Sequence, residues 1–302
     1  MFLYIVVGIS AKKTKIIKSN SARDMSLFMT SYIMPFNIIN ALQTQVDSAK
    51  IWGFISALLL SLFAHTCGIL LSYIIIPKKD GRGMNNFEQL CCAMGNSSFM
   101  AFPLIKAVMG DEALLYGAAF LIPFHIIFWS WGIYIVDGEK FNLKKFISQP
   151  SVISIAIGLI LFLFSVKLPT LAAEWVDDMS GIATPLSMII FGVFIADTNI
   201  IKTVTNTKIY RVVLVKNILM PLVLILFVSL TGIYKLIPNG NIVAKTVAIS
   251  CSSACGISSV LVVARKGNEK NSLYTSEIVA LSTICVIATL PLTTFIAGIL
   301  IP

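Results

Sequence analysis

Charge is scarce in this sequence. Asp, Glu, Lys and Arg make up only 12% of its 302 residues, whereas a soluble globular domain carries roughly 25%. With 57% hydrophobic residues and a mean hydropathy of +0.89, a water-soluble fold would leave large apolar areas on its own surface. A bilayer removes that conflict. Acid is scarcer than base, 14 residues against 23, giving a net charge of +9. The excess does not point to a nucleic-acid partner, because the basic residues sit in short clusters between apolar runs, as in membrane proteins. Histidine occurs only twice. The six cysteines (Cys67, Cys91, Cys92, Cys251, Cys255 and Cys285) lie in apolar runs, none beside His in a zinc-like spacing. Cys251 and Cys255 stand four apart on an expected helix, a conceivable metal pair, but they read better as small polarizable packing residues. There is no Ser-His-Asp arrangement, no phosphate loop and no metal-ligand cluster. Asp111–Glu112 and Asp177–Asp178 read as solvated loop charge. An enzyme is therefore not expected, nor a bound cofactor.

Apolar runs compatible with membrane spans cover approximately 1–17, 22–42, 51–76, 87–109, 112–136, 150–166, 180–197, 211–234, 242–264 and 273–300. A span needs about 20 such residues. The first run is short, apolar only to Ile9 before Lys12, Lys13 and Lys15, which is the reverse of a signal peptide's charge order. The second carries Pro35, Asn37 and Asn40, which predicts a kink or contact with protein. Basic residues test the count. All but five of the 23 fall in the odd-numbered connections, among them Lys78, Lys79, Arg82, Lys140, Lys208, Arg211, Lys216, Arg265 and Lys266. This alternation places the odd connections in the cytoplasm and both termini outside. Ten spans then divide into two five-span units of opposite orientation. Cys92–Ser98 sits opposite Ile249–Cys255, Gly110-Asp111-Glu112 opposite Gly267-Asn268-Glu269, and Pro123 opposite Pro291.

Two runs are interrupted. The fourth holds Gly95-Asn96-Ser97-Ser98 and then Pro103, whose missing N–H is expected to free the Phe99 carbonyl and break the helix. The ninth holds Ser252, Ser253, Gly256 and Ser258 in a stretch of small residues, with Gly256 the expected break. Broken helices at corresponding places in two halves point to a transport site. Half-helix N-termini favour a carboxylate, and freed carbonyls favour a cation. Gly95, Asn96, Ser97, Ser98, Pro103, Ser252, Ser253, Gly256 and Ser258 are thus the candidate substrate-binding residues. His65 and His125 lie near mid-span, either as proton-coupling groups or as neutral imidazoles bonded within the bundle. Asn37 and Asn217 are candidates for lining a cavity. Glu88 and Glu277 read as interfacial, and Lys106 as a snorkelling end.

The motif Gly95-Asn96-x-x-Phe99-x-x-x-Pro103-Leu104, with Gly110-Asp111-Glu112-Ala113 and the closing run Ser276–Leu292, resembles the auxin efflux carrier family, in particular its bacterial malate/malonate-permease-like members. The resemblance covers nearly the whole chain. It implies an all-α integral membrane protein of ten transmembrane helices, two inverted five-helix repeats with broken crossover helices, in the fold of the bile-acid:sodium symporters. Residues 1–49 and 150–204 would form a scaffold able to pair in a homodimer. Residues 50–149 and 205–302 would form a moving transport domain. The function implied is secondary transport of a small organic anion such as malate, malonate or auxin by alternating access, with Na+ or H+ coupling left open. A passive channel and a sodium-coupled symporter are the alternatives. The ninth span departs from the family in having Ser and Gly where many members place a proline.

Overall fold

The computed structural model describes residues 2–77, 84–197, 200–256, 258–260 and 269–302. The basic clusters at Lys78, Lys79 and Arg82 and at Arg265 and Lys266, and the pair Gly267–Asn268, lie outside the described residues. The protein is helical, with no strand among the described residues.

The chain opens with α1 (Phe2–Lys13), α2 (Ser19–Phe28) and α3 (Met34–Leu42), then α4 (Ser48–Ile75), which Asp47 caps by accepting the Lys50 N–H at 2.7 Å. A broken pair follows, α5 (Met84–Ala93) and α6 (Phe102–Met109). Next come α7 (Leu114–Ile127), α8 (Ile133–Asp137), α9 (Leu143–Ile147), α10 (Pro150–Leu163), α11 (Thr170–Asp197), α12 (Ile200–Thr205), α13 (Tyr210–Val213), α14 (Met220–Thr231), α15 (Gly240–Cys251) and α16 (Glu269–Leu300). Among the described residues, six segments are long and apolar enough to cross a membrane: Asp24–Leu42, Ser48–Ile75, Asp111–Asp137, Thr170–Ala196, Thr207–Thr231 and Leu273–Leu300. They correspond to six of the ten apolar runs. The other four runs are shorter or interrupted helices. Leu59, Leu70, Ile74, Leu230 and Phe295 stand exposed on these long helices, a surface suited to hydrocarbon rather than water.

Three prolines shape the backbone in one way. Pro35, Pro103 and Pro221 each follow by two residues a wide π turn, at Met29–Ile33, Ser97–Ala101 and Leu214–Leu219. A proline cannot donate to the carbonyl four residues back, and its ring crowds that carbonyl. The preceding N–H reaches back five residues instead, from Met34 to Met29, Phe102 to Ser97 and Met220 to Val215. The chain therefore widens at these prolines without breaking.

α1 lies along α11, and α3 packs on α10 and α11. A β-carbon on Gly8 would fall on the carbonyl oxygen of Ile189, and one on Gly192 on that of Ile5, so the two backbones touch where glycine permits. α4 packs against α7, α14 and α15, and α16 closes against α5 and α15.

Candidate functional site: a crossing of two broken helices

Each broken helix has a gap of a few residues. α5 ends at Ala93 and helical turns resume at Ser97; α15 ends at Cys251 and turns resume at 258. At 1.5 Å per residue, α5 brings the chain about 15 Å and α15 about 18 Å before the gap, placing both breaks deep in the bundle. There the two gaps cross. Gly95 and Cys255 form an antiparallel bridge. The Asn96 N–H donates to Ala254 O at 2.7 Å, and the Gly256 N–H donates to Met94 O at 3.0 Å. Glycine at 256 suits this approach, since a β-carbon there would sit a tight 3.1 Å from the Gly95 carbonyl oxygen.

Side chains tighten the crossing. Ser97 Oγ donates to Ser250 O at 2.9 Å and lies 3.1 Å from Ser253 Oγ, which also donates to Ser250 O at 2.9 Å. The Cys255 N–H donates to Ser282 Oγ at 2.9 Å; that hydroxyl donates to Asn217 Oδ1 at 2.7 Å, and Asn217 Nδ2 returns to Ser282 O at 2.8 Å. Two elements, α16 and the turn before α14, are thus laced to the buried Cys255 peptide. The Lys216 ammonium enters the same place. It is 1% exposed and donates to Cys251 O at 2.9 Å, with Met220 Sδ at 3.5 Å.

The structure brings Gly95, Asn96, Ser97, Ser253 and Gly256 together, with Ser98 and Pro103 following on the same half-helix. Ser252 is different: its hydroxyl donates back to Ala248 O at 2.7 Å and is spent on its own helix. Ser258 is half-buried in the turns after Gly256. Asn217 holds the crossing from behind rather than lining open space. His65 Nδ1 bonds Ser61 O at 2.8 Å and its ring packs on Phe120, a bundle contact between α4 and α7. His125 packs edge-on to Phe124, and no hydrogen bond among the described residues ties it or the buried Asn37 to the crossing.

Five expectations need correcting. Asp177 and Asp178, read as loop charge, lie within α11, exposed on its surface. The break expected at Pro103 lies upstream, at Met94–Asn96, because a π turn absorbs the missing N–H. Lys216, grouped with the loop cations, is deep in the bundle. Glu88 is 1% exposed, paired with Arg211 and accepting the Tyr274 hydroxyl, not interfacial. Cys251 and Cys255 do not share a helix, since α15 stops at Cys251. Sequence reasoning missed Ser282 and Lys216. A lysine five residues before Pro221 inside an apolar run was the available signal; Ser282 gave none.

The Asn96 side chain stands half-buried at the start of the 97–109 half-helix and makes no hydrogen bond among the described residues. Beside it, the N–H groups of Ser97, Ser98 and Phe99 belong to a first helical turn and have no acceptor within their own helix. The arrangement offers an anion aligned donors and a positive dipole end. A separate open cleft of about 830 Å³ lies between the end of α3 and the start of α11, lined by Asn40, Gln43, Lys167, Glu174 and Asp177, with Asn40 Nδ2 donating to Asp177 Oδ1 at 3.0 Å. Its lining shares no residue with the crossing.

Long apolar helices, an exposed apolar surface and helices broken at depth define a multi-pass membrane transport protein. The family model described as membrane transport protein matches residues 1–143 and 138–294, so the chain belongs to that family, the auxin efflux carrier family, whose members are transporters and not enzymes. A comparison with curated proteins returns no significant match.

Proposed function

We propose that this chain is a secondary transporter of a small organic carboxylate, working by alternating access. The observation that carries this is the crossing: a half-helix N-terminus and an unengaged Asn96 amide meet a second broken helix inside the bundle. The first-turn N–H groups of 97–99 hold the carboxylate and Asn96 orients it. Malate and malonate, implied by the family resemblance, are the first solutes to try.

In this proposal the four shorter or interrupted runs complete ten crossings in two inverted five-helix halves, with both termini outside. Residues 1–49 and 150–204, joined by the Gly8–Gly192 contact, serve as a scaffold and as the face for a homodimer. Residues 50–149 and 205–302 move past it, in the manner of an elevator.

The test is Asn96→Ala in proteoliposomes loaded against radiolabelled malonate and malate. Uptake should be abolished while the variant stays inserted and folded. Uptake equal to wild type would remove the site assignment. Flux that never saturates with solute would favour a channel.

A further inference from the structure

Lys216 has no part in the scheme above, yet its position is unusual. It lies nine residues into the span Thr207–Thr231, about 14 Å from the Thr207 end at 1.5 Å per residue. A lysine near a span end reaches outward to the interface. This one turns inward. Its ammonium donates to Cys251 O at 2.9 Å and touches Met220 Sδ. A β-carbon on Gly95 would lie 2.9 Å from Lys216 Nζ and 2.6 Å from Ser253 Oγ, so ammonium and hydroxyl flank the bridged Gly95 together. Among the described residues no carboxylate lies within 4.0 Å of Nζ; Glu88 is engaged by Arg211 and Tyr274.

Cys251 is the last residue of α15, the carbonyl end of a half-helix. Freed carbonyls and a negative dipole end make such a terminus the place where carriers with broken helices hold a coupling cation. Here a neighbouring span supplies the positive charge by a covalent tether. We infer that the Lys216 ammonium is the resident cation of the crossing, so that an anion binds there without Na+ or any other alkali ion. The inference rests on the carboxylate reading above for the identity of that anion. The fixed charge offsets the solute's own charge at depth, where an unpaired anion is costly. Because the tether returns with the empty carrier, each turnover moves only the solute's charge.

The experiment uses the full chain in lipid nanodiscs. Equilibrium 22Na+ binding is measured without carboxylate. Malonate and malate binding is measured in NaCl and in N-methyl-D-glucamine chloride of equal ionic strength. Wild type should bind no sodium saturably, and its carboxylate Kd should agree within about twofold between salts. Lys216→Ser opens the cation position beside Cys251 O; carboxylate binding should weaken at least tenfold in N-methyl-D-glucamine and recover with sodium. Stoichiometric sodium binding by wild type, a wild-type carboxylate Kd that tightens tenfold with sodium, or a K216S affinity equal to wild type would each overturn the inference. The wild-type measurements decide it even if K216S does not fold. A wild type that binds neither sodium nor any carboxylate would uphold the resident cation and overturn the carboxylate reading instead.

Discussion

A methyl group at Gly95 would strike two partners at once. In Gly95→Ala the new carbon would lie 2.6 Å from Ser253 Oγ, 2.9 Å from Lys216 Nζ and 3.0 Å from Lys216 Cε. The lysine end can swing aside. Ser253 Oγ is tied to Ser250 O and abuts Ser97 Oγ, so it yields less. Overpacking of this kind costs about 1–3 kcal/mol. Ser253→Ala alone loses a hydrogen bond worth about 1 kcal/mol. Were the two effects independent, the double variant would lose about 2–4 kcal/mol. Alanine at 253 has no oxygen for the methyl to meet, so Gly95→Ala/Ser253→Ala should fall short of that sum by about 1 kcal/mol, a coupling typical of touching residues. Equilibrium unfolding in mixed micelles titrated with SDS, run on all four proteins, reads this directly. Additivity within about 0.3 kcal/mol would refute the claim that Gly95 is glycine because of Ser253.

Ser282→Ala strands the buried Cys255 N–H and should cost about 1–3 kcal/mol, with faster hydrogen exchange at that amide; unchanged protection would mean that Ser282 does not hold the crossing. Arg211→Met leaves the Glu88 carboxylate buried with only Tyr274, and should cost about 3 kcal/mol, the lower end for a broken buried pair because Arg211 is 35% exposed. Adding Glu88→Met should recover part of that loss, and a further drop in thermal midpoint would contradict it. Gly192→Val forces α1 off α11 and should destabilise by at least about 1–3 kcal/mol, seen as loss of hydrogen-exchange protection across α1.

Much of the architecture was legible because hydrocarbon imposes a coarse code. Length and hydropathy alone located the six long segments, and small polar residues in two apolar runs marked both breaks. Finer features followed rules that periodicity does not carry. Pro103 looked like a breaker, but a proline two residues past a π turn keeps its helix, so the true gap moved to Met94–Asn96. Lys216 was hidden among Lys202, Lys208 and Arg211, since a charge count along the sequence cannot tell a side chain that leaves the membrane from one that turns inward. Glu88 misled in the same way: its partners Arg211 and Tyr274 are more than a hundred residues away. Ser282 is one serine among many until the bundle places it beneath the Cys255 amide.

The two broken helices are stitched by their own peptide groups, each giving one donor and taking one. Such a stitch runs through the backbone and leaves little space for a side chain at Gly95 and Gly256. Pushing residues 94–96 toward either face of the bilayer drags 254–256 along. In the proposed carrier, a cargo gripped there would travel with both half-helices as a unit, past a neighbour such as α11, which packs on Ser97–Ala101. In that carrier the bending would fall to the connections leading into and away from the paired helices, and the grip itself would stay unchanged throughout the stroke.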